Sequence, residues 1–359
     1  MTKNTVQLMK KTALPDALAA LLAGYTVFAP TGEAERLAFS QIDAGSLNSV
    51  NLKGTPALSA KEALFPRTET LFGVELKTNE ILPEEPEGTI AVKTAIFGVR
   101  PCDTRGILNL DCVFLEKGYI DTAYAKRREN LTVITLACNE IPFPTCFCTS
   151  MGGGPEDREG ADVFITETAD PEIWSVSFNT KKGLAVMKAW ENASVLTEPA
   201  DAGAATKTGA GDAKPAAAKI KAPAPMLSVK KPKDLAAKLT AAFEDPAWAR
   251  FSEACIGCGT CSYICPTCYC FDIGMETGAG TATEFRCWDC CMFSDYTRMA
   301  GGHDPRPTKK ERLRNRYLHK LAYFDERYGK TLCVGCGRCI LKCPAGLDIA
   351  SIIEWGATL

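Results

Sequence analysis

The run Cys255-x2-Cys258-x2-Cys261-x3-Cys265-Pro266 occurs a second time, as Cys333-x2-Cys336-x2-Cys339-x3-Cys343-Pro344. No other feature restricts the fold so tightly. Three evenly spaced cysteines wrap a short loop around one corner of a four-iron cube, with the loop's N–H groups aimed at its sulfides. The fourth cysteine opens a helix, where a following proline is tolerated because its N–H would be unpaired anyway. This is the bacterial ferredoxin spacing, in which the fourth cysteine of each run serves the other cluster. Zinc sites use paired C-x2-C units, often with histidine, and have no use for three even spacings and a C-P. The expectation is two [4Fe–4S] clusters, one held by Cys255, Cys258, Cys261 and Cys343, the other by Cys265, Cys333, Cys336 and Cys339.

The remaining composition agrees. The chain has 18 cysteines but only two histidines, His303 and His319, so its metal chemistry has to be thiolate chemistry. The opening Met1–Lys11 is polar, and the apolar stretch Ala13–Ala23 is broken by Pro15 and Asp16, so no secretory signal is read there. No run approaches the roughly 20 apolar residues of a membrane span. A cytoplasmic, reducing setting is therefore expected, with the cysteines as metal ligands and not a disulfide framework. A formal net charge of −2 gives no reason to expect nucleic acid or an anionic membrane as partner.

Residues 1–197 read as an α/β domain with a mixed or parallel sheet. Leu14–Gly24 has a helical pattern ending at glycine, followed by the strand-like Tyr25–Ala29. Thr89–Val99 and Leu131–Ala137 have strand length and β-branched content, and Ala161–Thr166 and Trp174–Phe178 add shorter runs. Asp103–Phe114 and Leu184–Ala193 are intervening helices, which makes an α/β layering the expected class. Residues 198–228 form a linker, since Glu198–Pro225 is mainly Ala, Gly, Lys, Thr and Pro. Residues 229–359 read as an α-helical, ferredoxin-like two-cluster domain. Asp234–Phe243 precedes the first motif and Lys309–Tyr328 lies between the motifs, with Leu313, Tyr317, Leu321 and Phe324 on one face and a solvated face of Lys and Arg expected around them.

A second constellation sits in the first half. Thr89–Val99 ends in Arg100-Pro101-Cys102-Asp103, and Leu131–Ala137 ends in Cys138. Ligands of open α/β sheets bind at the carboxyl ends of strands. Cys146 and Cys148 follow in the next loop, so four thiols could converge on a third cluster. Buried small hydrophobes are the alternative reading of the same residues. Arg100 would place a fixed positive charge beside such a cluster and favour its reduced state. Gly152–Gly154 is a weak phosphate-turn signal. Cys268, Cys270, Cys287, Cys290 and Cys291 form a further patch that admits three readings, another metal site, thiols around the first cluster or core, of which the last two are favoured, and Cys112 reads as core.

Several phrases resemble one family. They are Phe65–Phe72, Gly98-Val-Arg-Pro-Cys-Asp103, Cys146-Phe-Cys-Thr-Ser-Met-Gly152, Cys265-Pro-Thr-Cys-Tyr-Cys270, Met299-Ala-Gly-Gly-His303 and Cys333-Val-Gly-Cys-Gly-Arg-Cys339. The chain is similar along nearly all of its length, Glu198–Pro225 excepted, to the β subunits of cytoplasmic sulfhydrogenases and to the corresponding subunit of anaerobic sulfite reductase. The iron–sulfur subunits of flavin oxidoreductases linked to heterodisulfide reductase share the resemblance. It implies an electron relay working anaerobically between a flavin- and NAD(P)-binding subunit on one side and a catalytic reductase, hydrogenase or heterodisulfide-reductase-type subunit on the other. It also implies a third [4Fe–4S] cluster at Cys102, Cys138, Cys146 and Cys148, facing the flavin partner, with the ferredoxin pair deeper along the path. The separation of 68 positions between Cys265 and Cys333 resembles the α-helical ferredoxin modules of succinate dehydrogenase and heterodisulfide reductase, which keep the crossed ligation.

Three functions compete on the residues. One is an electron-wire subunit without chemistry of its own. Another is a flavin-dependent reductase fed by its own clusters, against which stands the absence of a dinucleotide fingerprint or an acid–base pair. The last is a protein whose clusters only hold the fold, which would not need two full ferredoxin motifs.

Overall fold

The computed structural model describes residues 5–33, 36–82, 92–197 and 227–359. The segment read as a linker, Glu198–Pro225, lies outside the described residues. The first half carries β1 (Thr5–Lys10), α1 (Leu14–Leu22), β2 (Thr26–Thr31), β3 (Ala38–Ile42), β4 (Thr68–Glu75), β5 (Glu80–Leu82) and β6 (Thr94–Val99). Then come α2 (Pro101–Phe114), α3 (Thr122–Asn130), β7 (Leu131–Leu136), β8 (Val163–Glu167), β9 (Ile173–Phe178), α4 (Lys181–Asn192) and β10 (Leu196–Thr197). Eight of the strands form a mixed sheet in the order β10-β1-β9-β8-β7-β6-β2-β3, in which β2, β6, β7 and β8 run parallel. Strand β6 shows why an unbroken apolar run is needed at the centre. Ala95 and Phe97 enter the core beneath α1 and α4, while Ile96 and Val99 enter the core on the α2 side.

Parallel pairing of β6 with β7 ends both strands at one edge. Arg100 caps α2, Pro101 and Cys102 form its first turn, and Ala137 and Cys138 continue from β7. The chain geometry alone thus brings the two strand-end cysteines together.

The second half contains α5 (Leu235–Ala241), α6 (Ala247–Ser252), α7 (Thr260–Tyr263), α8 (Lys309–Leu318), α9 (Phe324–Tyr328), α10 (Arg338–Leu341) and α11 (Ile349–Thr358). It is α-helical as expected, with one addition. Phe271–Gly278 (β11) and Thr281–Trp288 (β12) make a hairpin around Ala279-Gly280, both at positive φ as a tight two-residue turn demands. Strand β12 pairs with β4, giving a second sheet in the order β11-β12-β4-β5. The regions expected at 1–197 and 229–359 therefore share a sheet. The alternation of Phe271-Asp-Ile-Gly-Met-Glu is the sequence signal for it.

Lys309–Tyr328 forms α8 and α9 joined through a π-helical turn, His319–Tyr323, and begins with a capping box between Thr308 and Glu311. Leu313, Tyr317, Leu321 and Phe324 are buried as the spacing predicts. The expected solvated face is wrong in part, because Arg314, Arg316 and Lys320 are buried too.

The shared sheet is tied by charge. Glu69 on β4 and Arg286 on β12 are both buried, with Arg286 Nε donating to Glu69 Oε1 at 2.8 Å and Arg127 Nη1 lying 2.5 Å from Glu69 Oε2. Removing Glu69 leaves Arg286 with Asp121 alone and, among the described residues, Arg127 with no carboxylate, a loss of about 3–5 kcal/mol. Glu69→Ala should lower stability by that amount in denaturant unfolding of the full chain. A change under about 1 kcal/mol would mean that the hairpin is not anchored there.

Candidate iron–sulfur centre

The two ferredoxin loops repeat each other in backbone detail. Gly257 and Gly259 have φ of +68° and +76°, and Gly335 and Gly337, at the equivalent places, have +68° and +73°. Left-handed residues turn the loops tightly enough to expose successive N–H groups inward, and glycine meets that geometry without strain. Each loop then opens a short helix, α7 or α10, and the two helices pack together.

One cavity is lined by Cys255, Cys258 and Cys261 of the first motif and by Cys339 and Cys343 of the second. Its walls are otherwise apolar, from Ile256, Met292, Leu313, Tyr317 and Leu347, with Arg316 the single charged wall residue. Cys343 Sγ accepts a hydrogen bond from Leu347 N at 3.3 Å. Cys258 is exposed, and Ile256 beside it is 68% exposed, so the first loop reaches the surface.

A separate cavity collects Cys102, Cys138, Cys146 and Cys148, the four thiols named from the first half. Cys336 and Arg338 of the second motif complete it, together with Thr55 and the loop Ile141–Phe143. Burial pushes the thiol of Cys138 up to about 11 and that of Cys146 up to about 12, so loading a metal centre here must displace protons.

The members of the remaining set, Cys265, Cys333, Cys336 and Cys339, are partly buried; Cys336 lines the strand-end cavity, Cys339 that of the first motif, and burial pushes Cys333 up to about 11. Lys320 and Arg316 lie beside them. Burial works against both charges, but the surrounding thiols, Cys261 and Cys268 for Arg316 and Cys265 and Cys268 for Lys320, more than offset it and hold both cationic.

Among the described residues no three His, Cys, Asp or Glu side chains converge as a single bare ion requires. Zinc gathers its thiolates at about 2.3 Å from one point. Five cysteines line each of the two cavities, more than one zinc ion takes, and such a set suits a multi-iron cluster instead.

A 4Fe-4S dicluster domain matches residues 254–347. The chain is 31% identical over 330 residues to sulfhydrogenase 2 subunit β of Pyrococcus furiosus, covering 91% of each chain. The chain belongs to the sulfhydrogenase β-subunit family. It is an iron–sulfur electron-transfer subunit carrying [4Fe–4S] clusters, and a β subunit implies partner subunits. Among the described residues no helix is long and apolar enough to cross a membrane.

Several functional side chains of this family member are not legible in the motifs. Arg338, fully buried, pairs in bidentate fashion with Asp103 of α2 at 2.7 and 2.8 Å and donates from Nε to Pro56 O. Cys336, expected at the ferredoxin pair alone, also faces the strand-end cavity. Arg100 stands beside Cys138, but its hydrogen bonds go to the carbonyls of Leu52, Gly54 and Ala137 and to Thr55 Oγ1. Its charge is thus held in place without a carboxylate. At Gly152–Gly154 the Arg105 guanidinium packs on Gly153 and donates to Met151 O. His303 is exposed.

The second motif meets the 145–148 loop backbone to backbone. Phe147 N donates to Gly335 O at 2.8 Å, and Thr145 Oγ1 to Gly337 O at 3.0 Å. A Cβ on Gly337 would collide with the Thr145 carbonyl. Gly337→Ala should cost about 1–3 kcal/mol beyond the backbone penalty of a positive φ. Gly346→Ala, at φ +67° with open space around it, should pay the backbone penalty alone. Denaturation midpoints of the two variants make the comparison, and equal losses would show that the loops do not press on one another.

Proposed function

We propose that this chain relays single electrons along a line of three [4Fe–4S] clusters. The relay runs between a flavin- and NAD(P)-binding subunit on one side and a catalytic reductase, hydrogenase or heterodisulfide-reductase-type subunit on the other. The observation that carries the reading is the position of the second motif. Cys336 lines the strand-end cavity, while Cys339 and Cys343, one and two turns on, line the cavity of the first motif. One short loop spans the interval between the outer sites.

On this reading Cys255, Cys258, Cys261 and Cys343 hold one cluster, and Cys265, Cys333, Cys336 and Cys339 the next. Cys102, Cys138, Cys146 and Cys148 hold the third. Each cluster, when bound, supplies a reversible one-electron couple. The chain's own residues do the rest. Apolar walls keep water from the sulfurs other than the exposed Cys258, the glycine turns aim N–H groups inward, and Arg100, Arg316 and Lys320 supply positive charge that favours the electron-rich state.

Both ends are open to partners. The strand-end site lies under connecting loops, where partners approach, and we assign it to the flavin side. The exposed Ile256–Cys258 tip of the first motif suits the catalytic side. The name of the Pyrococcus relative supports a sulfhydrogenase-like assembly. Eighteen cysteines, all of them free thiols, fit a reducing, cytoplasmic setting.

Two variants test the assignment on anaerobically prepared protein. Cys343→Ser should perturb the cluster of Cys255, Cys258 and Cys261. A perturbed signal from the cluster of Cys333 and Cys336 instead would mean that each motif closes its own site. Cys146→Ser should remove about four iron atoms and slow reduction by NAD(P)H through a flavin partner, with the ferredoxin pair intact. Unchanged iron and rate would return these thiols to the core.

A further inference from the structure

Five cysteines of the second half lie outside these three sets, and they do not share one fate. Cys287 lies on β12 opposite Asp272. Cys290 turns its sulfur towards Gly259 O, and Met292 N donates to it at 3.4 Å. The other three, Cys268, Cys270 and Cys291, line a cavity of their own with Arg316, His319 and Lys320. The hairpin root assembles it: Asp289 N donates to Cys270 O at 3.0 Å, which carries the chain from β12 back to Cys291 beside Cys270. Cys268 and Cys291 are each only 7% exposed.

Charge gives a second, independent observation. Lys61, Arg316 and Lys320 are buried around this cavity, and none of them pairs with a carboxylate among the described residues. Lys61 Nζ donates to Cys268 O at 2.9 Å and to Ser262 O, and Lys320 Nζ to Thr267 Oγ1 at 2.7 Å. Arg316 donates to Cys261 O and Ser262 Oγ, and at 3.4 Å to the sulfur of Cys268. Apart from that sulfur their hydrogen-bond partners are neutral oxygens, and interiors do not keep such charge unless an anion lies close. The two neighbouring ferredoxin clusters offset part of it. Cys268, the one sulfur that takes a hydrogen bond from a buried guanidinium, lies in neither set.

We propose that Cys268, Cys270 and Cys291 form a three-thiolate site for a further iron–sulfur centre, beyond the relay described above. A preformed cluster enters by ligand exchange: three iron–thiolate bonds to its donor break, three sulfur–iron bonds to the chain form, the three S–H protons pass to the departing thiolates, and no electron is transferred. Three thiolates line the cavity, which suits a cluster with three ligated irons: Cys290, beside Cys291, has its sulfur engaged with Gly259 O and Met292 N, and Tyr269 Oη occupies His319 Nε2 at 2.7 Å. The three cations then face the anion that their burial requires.

The test reconstitutes the full chain anaerobically with iron and sulfide and compares it with the triple variant Cys268→Ala, Cys270→Ala, Cys291→Ala. The variant should bind about three to four fewer iron atoms and sulfides per chain, whatever the loading of the other sites. The single variant Cys270→Ser, at a half-buried position and checked by circular dichroism, should show the same deficit should the triple variant fail to fold. Equal iron and sulfide in parent and variants would overturn the site. So would stoichiometric zinc without sulfide, or a Cys270–Cys291 disulfide in the anaerobic protein by mass spectrometry.

Discussion

The architecture turns on the contact between the second ferredoxin loop and the strand ends of the α/β sheet. Asp103, in the first turn of α2, pairs with Arg338 in full burial, and breaking such a pair costs about 3–5 kcal/mol. Around it, the backbone of Gly335 and Gly337 lies against Thr145, Phe147 and Cys148 with no room for a side chain. Gly106 of α2 lies as close to Pro266, the proline after Cys265. Both ferredoxin motifs therefore rest on one helix. That helix starts where β6 stops, so the strand-end thiols and the ferredoxin thiols have a fixed relation.

Electrostatics follows from the same packing. Positive side chains cluster where thiolates gather: Arg100 and Arg338 at the strand-end site, and Arg316 and Lys320 of the second half with Lys61 reaching across to them from the first. Buried guanidinium and ammonium groups are costly when isolated, so they mark where negative charge resides in the loaded protein. Arg338 is paired with Asp103, whereas Arg100, Arg316, Lys320 and Lys61 are held mainly by backbone carbonyls and hydroxyls, which fixes their charge without neutralising it. The π-helical turn at His319–Tyr323 contributes by carrying Lys320 into the interior.

Much of this is legible in the sequence, for identifiable reasons. The ferredoxin spacing is a local geometric demand, so Cys255 through Cys265 and Cys333 through Cys343 can be named outright. Strand β7 is apolar on both faces, which is how a central parallel strand must read, and Cys138 at its end follows. Long-range pairing is harder to see. The hairpin β11–β12 sits between two helical motifs, and its alternation is short. Only its partner β4, some two hundred positions away, makes it part of a sheet. Arg316 and Lys320 read as a solvated helix face. Their burial depends on what the other elements bring against them, and a helical period does not encode that. Arg338 comes into view only as part of a family phrase, and its partner Asp103 as the end of another.

The central claim is that the clusters lie in a contiguous line joined by the second motif. The most direct measurement is EPR spectroscopy of the fully reduced, anaerobically prepared protein. Adjacent reduced cubanes should couple magnetically, giving broadened and split signals that simplify when Cys336 is replaced by Ser, since this thiol stands between the outer sites. Sharp, independent signals whose sum is unaltered by that substitution would contradict the account.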